Sequence, residues 1–513
     1  SKTFSLIPQL PSFVQDRLFN PLGSLLSLAI FLATIIPLGI NQLITQKEIV
    51  KKAFSILAVL IIISSLALAI YNILPGKPAE PKILDLKTSW SVTIETLKES
   101  PLWGIGPANF LTAFNRFRPL SYNLTDNWSF RFSAARDFYL TSLTEVGLVG
   151  AAAIILIFSI IFKMVKKQIR EKNFINEGIF LISLLVLSTF LAFFPGGTIH
   201  IMLFFILLAL VSKSRSITFN FSTQLTEKTK NPLVSRLPSF LVVLPVITIL
   251  AFFVLFSGRA LAAEAKYRKA LDALVINDGL TTYEMLREAI NTNPYVDRYH
   301  ATYSQVNLAL ANSLALNEDL NDQDKNTITQ LVQQAIEEAK ATVSLNVTRS
   351  GNWEVLARTY QSITPFAEGA DQFSIQSFSQ AVSLDPINPN LRIALGGMYY
   401  SLGNYDNAIE IFKMAVLAKN DYANAHYNLA FAYKEKGEVE KATQEMETVL
   451  SLVNPESSDY ELAKTELENL KQRKPSEEVG SENLIPPQTG EEIETGPQIE
   501  LPEDLAPPKS SNQ

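Results

Sequence analysis

Six apolar runs constrain this chain more than any other feature: residues 22–40, 53–74, 146–162, 178–194, 198–212 and 240–257. A helix crossing a hydrocarbon core of about 30 Å needs roughly 20 apolar residues. The second run meets that length with ease. The first and sixth meet it too, each with an interior proline (Pro37, Pro245) of the kind a helix bundle in lipid tolerates. The fifth is short and follows Pro195-Gly196-Gly197, so the fourth and fifth read either as two crossings or as a tight hairpin or re-entrant pair. Hydrophobic residues make up 47% of the 513 and charged residues only 18%, but the first half carries most of the apolar character.

Basic residues set the orientation, because cytoplasmic loops retain Lys and Arg. Lys47, Lys51 and Lys52 follow the first run. Lys163, Lys166, Lys167, Arg170 and Lys172 follow the third, and Lys213, Arg215, Lys228, Lys230 and Arg236 follow the fifth. Placing all three groups in the cytoplasm puts 75–145 outside, together with everything after residue 257. Residues 1–21 then begin outside. With Ser1 first and no signal-peptide pattern in view, the chain reads as a fragment of a longer protein.

From about Ala260 the pattern becomes that of paired amphipathic helices. Leu395, Tyr399, Gly403, Ala408, Phe412 and Ala415 recur 34 residues later as Leu429, Tyr433, Gly437, Ala442, Met446 and Val449. This is the spacing of tetratricopeptide repeats. Trp353, Leu356 and Tyr360, then Ser374, Phe378, Ala381 and Pro386, fit a third unit with an insertion. Ala289 with Pro294, and Ala335 with Ala339, match only the second helix of earlier units. Such units bury their apolar faces by stacking. Tyr400, Asn424, Tyr427 and Lys434 are candidates to line the concave face and meet a protein partner. Beyond Lys474 the chain is rich in Pro, Glu and Ser and has no period, so 474–513 is expected to be a disordered acidic tail.

The expected fold class is therefore all-α: a polytopic transmembrane helix bundle, a tetratricopeptide-repeat solenoid and a disordered tail. The expected divisions are 1–21 (outer-side segment), 22–74 (two transmembrane helices) and 75–145 (large extracytoplasmic loop). They continue as 146–257 (four transmembrane segments), 258–473 (extracytoplasmic repeats) and 474–513 (tail).

Several chemistries find no support. The absence of cysteine removes disulfides, thiolate metal sites and cysteine nucleophiles. His200, His300 and His426 are scattered, so no metal site is expected. No phosphate-binding glycine loop is present, so no nucleotide cofactor is expected. The net charge of −6 resides mostly in the second half and gives no nucleic-acid footprint.

What remains is the loop at 101–150, which carries Arg116, Arg118, Arg131 and Arg136 with Trp103 and Trp128. Arginine keeps its charge and offers a fork of donors matched to phosphate oxygens. Tryptophan can stack on sugar rings or anchor at the interface. These six residues are candidates for binding a diphosphate-linked glycan.

The runs PLWGIGPANF (101–110), FNRFRP (114–119) and ARDFYLTSLTEVGLVG (135–150) resemble the large outer loop of the O-antigen ligase and O-antigen polymerase family. Some members carry C-terminal tetratricopeptide repeats. The resemblance covers roughly residues 90–162 and implies a membrane glycosyltransferase. Glycan would pass from a polyprenyl-diphosphate carrier to an acceptor hydroxyl without metal or nucleotide sugar. Two departures stand out. Many members have a His-Asn pair where this chain has Arg136-Asp137, and they have about twice as many spans. Arginine does not deprotonate near neutral pH, so Asp137 or Glu145 would have to act as the base. Two functions are open on these grounds: a glycan ligase or polymerase of the inner (plasma) membrane, or a non-catalytic membrane scaffold whose repeats recruit envelope proteins. A transporter is disfavoured because no run carries an ionisable residue at its middle.

Overall fold

The computed structural model describes residues 20–171, 178–212, 232–316, 320–472 and 484–487. The basic loop at 213–231, residues 1–19 and most of the stretch after 472 lie outside the described residues, so the expectations for them do too. The regular secondary structure of the described residues is helical, without a strand. They belong to two compact units, Ser1–Tyr122 with Ser129–Thr218, and Asn123–Trp128 with Phe219–Gln513.

In the first unit α1 (Leu25–Thr45) begins at Ser24, whose hydroxyl accepts the Ser27 N–H at 3.1 Å. It runs through Pro37 and forms a hairpin with α2 (Ile49–Ile73). Apolar side chains cover α2 on almost every side and are mostly exposed, as lipid-facing helices require. Helix α3 (Leu86–Glu99) and the short α4 (Phe110–Phe117) follow, then α5 (Phe138–Glu171). Two apolar helices complete the unit, α6 (Ile179–Leu191) and α7 (Thr198–Val211). With 13 and 14 residues they reach only about 20 Å at about 1.5 Å per residue, short of a bilayer core. Leu181, Leu184, Leu187 and Leu191 of α6 and Leu207 of α7 join Ile30 and Ile161 in one core, while Met202, Phe205, Ile206 and Leu210 of α7 face outward. His200 ties the bundle together, accepting the Gly197 N–H on Nδ1 and donating from Nε2 to the Ser27 carbonyl.

The second unit opens with α8 (Pro232–Val275), a single 44-residue helix. Its first half continues the sixth apolar run. Its second half is the first helix of a solenoid, pairing with α9 (Gly279–Thr292) without a break at residue 257. Four helices in all, Leu25–Thr45, Ile49–Ile73, Phe138–Arg170 and Val243–Val275, are long and apolar enough to cross a membrane among the described residues.

The solenoid continues in pairs: α10 (Asp297–Ala315) with α11 (Asp322–Leu345), α12 (Ser350–Ile363) with α13 (Ala370–Leu384), and α14 (Pro389–Ser401) with α15 (Tyr405–Ala418). Helices α16 (Ala423–Glu435) and α17 (Val439–Leu452) form the last pair, covered by α18 (Ser458–Gln472). The 34-residue echo is reproduced bond for bond. Gly403 N–H donates to Tyr400 and Asn404 N–H to Tyr399, and Gly437 and Glu438 repeat this with Lys434 and Tyr433. Both glycines are left-handed (φ 69° and 83°). The α8–α9 turn has the same two bonds, Asn277 to Leu274 and Asp278 to Ala273, with Asn277 left-handed at φ 57°. Asparagine tolerates that conformation better than most residues, so the degenerate first repeat keeps the turn without its glycine.

Adjacent glycines in α14 give opposite expectations. A methyl group at Gly396 would lie 2.5 Å from the buried Phe412 ring, whereas one at Gly397 meets nothing within 4 Å. Gly396→Ala should destabilise the solenoid by about 1–3 kcal/mol through overpacking. Gly397→Ala should stabilise it by roughly 0.5–1 kcal/mol through helix propensity. Thermal melts that move in the same direction for both would contradict this packing.

Candidate functional site

Two regions gather the candidate residues, and the outer loop is the first. It is a small folded body rather than a plain polar loop. Asp85 caps α3 by accepting the Thr88 N–H at 2.8 Å. Leu84, Val92, Phe110, Ala113, Phe114, Tyr122 and Ala135 make its core, with Phe114 edge-on to Tyr122 and Phe132. Small hydroxyl residues let α3 approach α5 closely, and Thr93 and Thr144 are hydrogen-bonded at 2.8 Å inside that contact.

The glycine motifs explain themselves as a backbone clasp. Ile105 and Gly106 N–H donate to the Thr144 and Glu145 carbonyls at 3.0 and 2.9 Å. In return Leu148 and Val149 N–H donate to the Pro101 and Leu102 carbonyls. Helix α5 is interrupted at Gly147 (φ 60°, ψ −159°), which opens its backbone to receive residues 101–106. A Cβ on Gly104 would lie 2.4 Å from the Thr144 carbonyl oxygen, and one on Gly147 2.5 Å from that of Leu102. Only glycine fits at either place.

The candidate acids both serve helix starts. Asp137 Oδ1 accepts the Leu140 N–H at 2.9 Å as the cap of α5. Glu145 Oε1 accepts the Phe110 N–H of α4 at 3.3 Å. The arginines divide. Arg116 is exposed and paired with Glu99 at 2.8 Å. Arg118 is buried, donates to the Asn115 carbonyl and lies over the Phe114 ring. Arg118 and Arg131 both act on the hydroxyl of Tyr122; burial pushes that group up to about 12, and the two charges oppose the rise. Arg136 is exposed just before α5, with its backbone N–H on Ser89 Oγ. Trp103 is 69% exposed. Trp128 belongs to the second unit, where its ring centroid is 5.1 Å from that of Tyr422 and Lys419 Nζ lies over it at 5.0 Å. Within the first unit, the Tyr122 hydroxyl and Arg131 Nη1 both donate to the Phe130 carbonyl, and Arg118 and Tyr122 both meet the Phe114 ring.

The second region is the face of α16. Tyr400 and Tyr427 are core side chains, packed on Tyr405 and Phe431. Lys434 pairs with Glu466 at 3.6 Å. Asn424 behaves differently. Its Oδ1 accepts the backbone N–H of Ile485 at 3.2 Å, and Asn428 Nδ2 donates to the Ile485 carbonyl at 3.1 Å. Two side-chain amides thus hold both polar groups of one extended residue. Asn428 was missed by the sequence reading, although its position one turn after Asn424 on the same helix face was the available signal.

His300 and His426 form a matched pair of buried ion pairs. Nδ1 lies on Glu338 or Glu445, and Nε2 on the carbonyl six residues earlier, Pro294 or Asn420. Both nitrogens face acceptors, so both carry protons. Burial works against the charged ring, but the carboxylate and carbonyl bonds outweigh it and hold both groups above the usual histidine value.

The tetratricopeptide repeat family matches this chain twice, as a TPR repeat over residues 396–437 and as a tetratricopeptide repeat over 423–452. Residues 396–452 therefore carry tetratricopeptide repeats. A comparison with curated proteins finds no match. Among solved structures, a MamA protein is 17% identical, covering 37% of this chain and 91% of that one with a TM-score of 0.30. A thermophilic TPR protein of Thermus thermophilus is 18% identical over 41% and 99%, with a TM-score of 0.30. YrrB, described as a TPR protein with an unusual peptide-binding site, is 14% identical over 39% and 90%, with a TM-score of 0.29. Scores this low transfer no function.

Two expectations follow. Gly104→Ala or Gly147→Ala should open the clasp and make 101–149 sensitive to limited proteolysis, whereas an unchanged digestion pattern would contradict it. Because both histidines are held above their usual value, their contribution to solenoid stability is full below the unfolded value of about 6.5 and is lost as pH rises through the folded value. Melting temperature should fall between pH 6 and pH 9, and the fall should be smaller in His300→Gln/His426→Gln.

Proposed function

We propose that the chain is a multi-pass inner-membrane protein whose tetratricopeptide solenoid recruits a protein partner on the extracytoplasmic side. The observation that supports this most directly is the pair Asn424 and Asn428, whose amides hold the N–H and C=O of an extended residue. A side-chain amide pair one helical turn apart reads backbone, so it accepts extended peptides of varied sequence. The basic residues after the first, third and fifth apolar runs support the orientation.

Peptides selected from a display library against the detergent-solubilised full chain test this reading. Their affinity should fall about tenfold or more in Asn424→Ala/Asn428→Ala, the loss of two hydrogen bonds. Selected peptides that bind the variant equally well would overturn the groove. A periplasmic-type reporter fused after Gln472 should be active, and a cytoplasmic one silent.

A second reading assigns the outer loop to glycan transfer from a polyprenyl diphosphate to an acceptor hydroxyl. Arg118 and Arg131 beside Tyr122, with Arg136 exposed at the start of α5, support it as a partial cradle for diphosphate charge. Asp137 or Glu145 would then combine a capping role with proton transfer. Arg118→Ala/Arg131→Ala/Arg136→Ala in the full-length protein should abolish accumulation of transferred glycan. Unaltered transfer would leave only the scaffold.

A further inference from the structure

The residue held by Asn424 and Asn428 belongs to the chain's own tail. Leu484 is 1% exposed and joins the core of the last repeats with Tyr427, Leu462 and Leu467. It borders a cavity of about 300 Å³ formed with Tyr422, Ala423, Leu452, Val453 and Asp459. Ile485, by contrast, turns its side chain outward at 66% exposure, while its backbone is clamped. Pro486 is exposed and Pro487 buried.

The local sequence suits this role. A residue before proline is pushed into extended conformations, so Pro486 prepares Ile485 for the groove before it binds. Neither proline has an N–H to satisfy. Hence, of residues 485–487, only Ile485 offers both an N–H and a C=O, and the groove supplies one acceptor and one donor for it. The same pattern, Leu-x-Pro-Pro, recurs at Leu505-Ala506-Pro507-Pro508.

We propose that the face of α16 is a receptor for Leu-x-Pro-Pro segments and that residues 484–487 occupy it in cis as a tethered competitor. This rests on the reading of the solenoid as a peptide-binding scaffold and adds its ligand and its regulation. Eleven residues separate Gln472 from Leu484. A tether this short gives an effective concentration on the order of millimolar, which an incoming partner must outcompete. A partner carrying the same motif in several copies, or one that pulls the tail away, would open the site.

The chain has no cysteine, so single cysteines report exposure cleanly. In the full chain in detergent, maleimide should label Leu484→Cys roughly tenfold more slowly than Ile485→Cys, because the first needs local opening. Adding Asn424→Ala/Asn428→Ala should bring the two rates together. Equal rates in the parent chain would overturn the tethered segment. In parallel, a fluorescent peptide Glu-Asn-Leu-Ile-Pro-Pro-Gln is titrated against the parent chain and against Leu484→Asp/Leu505→Asp, which disables both tail motifs. The variant should bind it about tenfold or more tightly, and lose it again when Asn424 and Asn428 are replaced. Equal affinity for parent and variant, with the asparagine dependence retained, would overturn the competition and leave the peptide groove standing. Binding that ignores the asparagines would overturn both.

Discussion

Helix α8 places two demands on one backbone. Its first half is apolar and exposed on every described side, and with the rest of the helix it is long and apolar enough to cross a membrane. Its second half buries Ala263 and Ala270 against Leu286 and Ala289 of α9 and Tyr299 and Tyr303 of α10. No loop separates the two halves, so the solenoid begins where the membrane segment ends. Each later repeat stacks on the previous one, and the whole array inherits its starting point from this helix.

Close backbone approach governs the first unit in a different way. The Gly104 and Gly147 clasp lets a loop strand enter the interrupted α5, and the two acids near it cap α4 and α5. The motif that resembles a glycosyltransferase loop is thus first a folding device. Any chemistry done there would use residues already committed to holding the loop together.

Much of this was legible in the sequence. The 34-residue echo specified the last repeats because small residues and turn glycines carry steric information one position at a time. The second helices of the early repeats were visible at Ala289, Ala335 and Ala339. Their first helices were not, because Asn277 replaces the turn glycine and α8 hides its repeat half behind an apolar run. All six apolar runs were legible as well, and each became a helix or part of one; α6 and α7 are the two short ones, with 13 and 14 residues. In the loop, residue type suggested an arginine cradle, and the partners each arginine takes were not legible: Arg116, for one, is exposed and pairs with Glu99. On α16, Asn424 and Asn428 both hold Ile485, and Tyr427, like Tyr400 of α14, is a buried core side chain. Aromatic residues in repeat helices pack inward far more readily than they line a polar face.

The face of α16 offers two side-chain amides and one leucine pocket, and residues 484–487 sit in it. Hydrogen exchange at residues 484–487 tests this most directly, since Pro486 and Pro487 carry no amide hydrogen and only Leu484 and Ile485 report. The account predicts that exchange there is roughly tenfold slower in the parent chain than in Asn424→Ala/Asn428→Ala. Equal exchange in the two chains would contradict it.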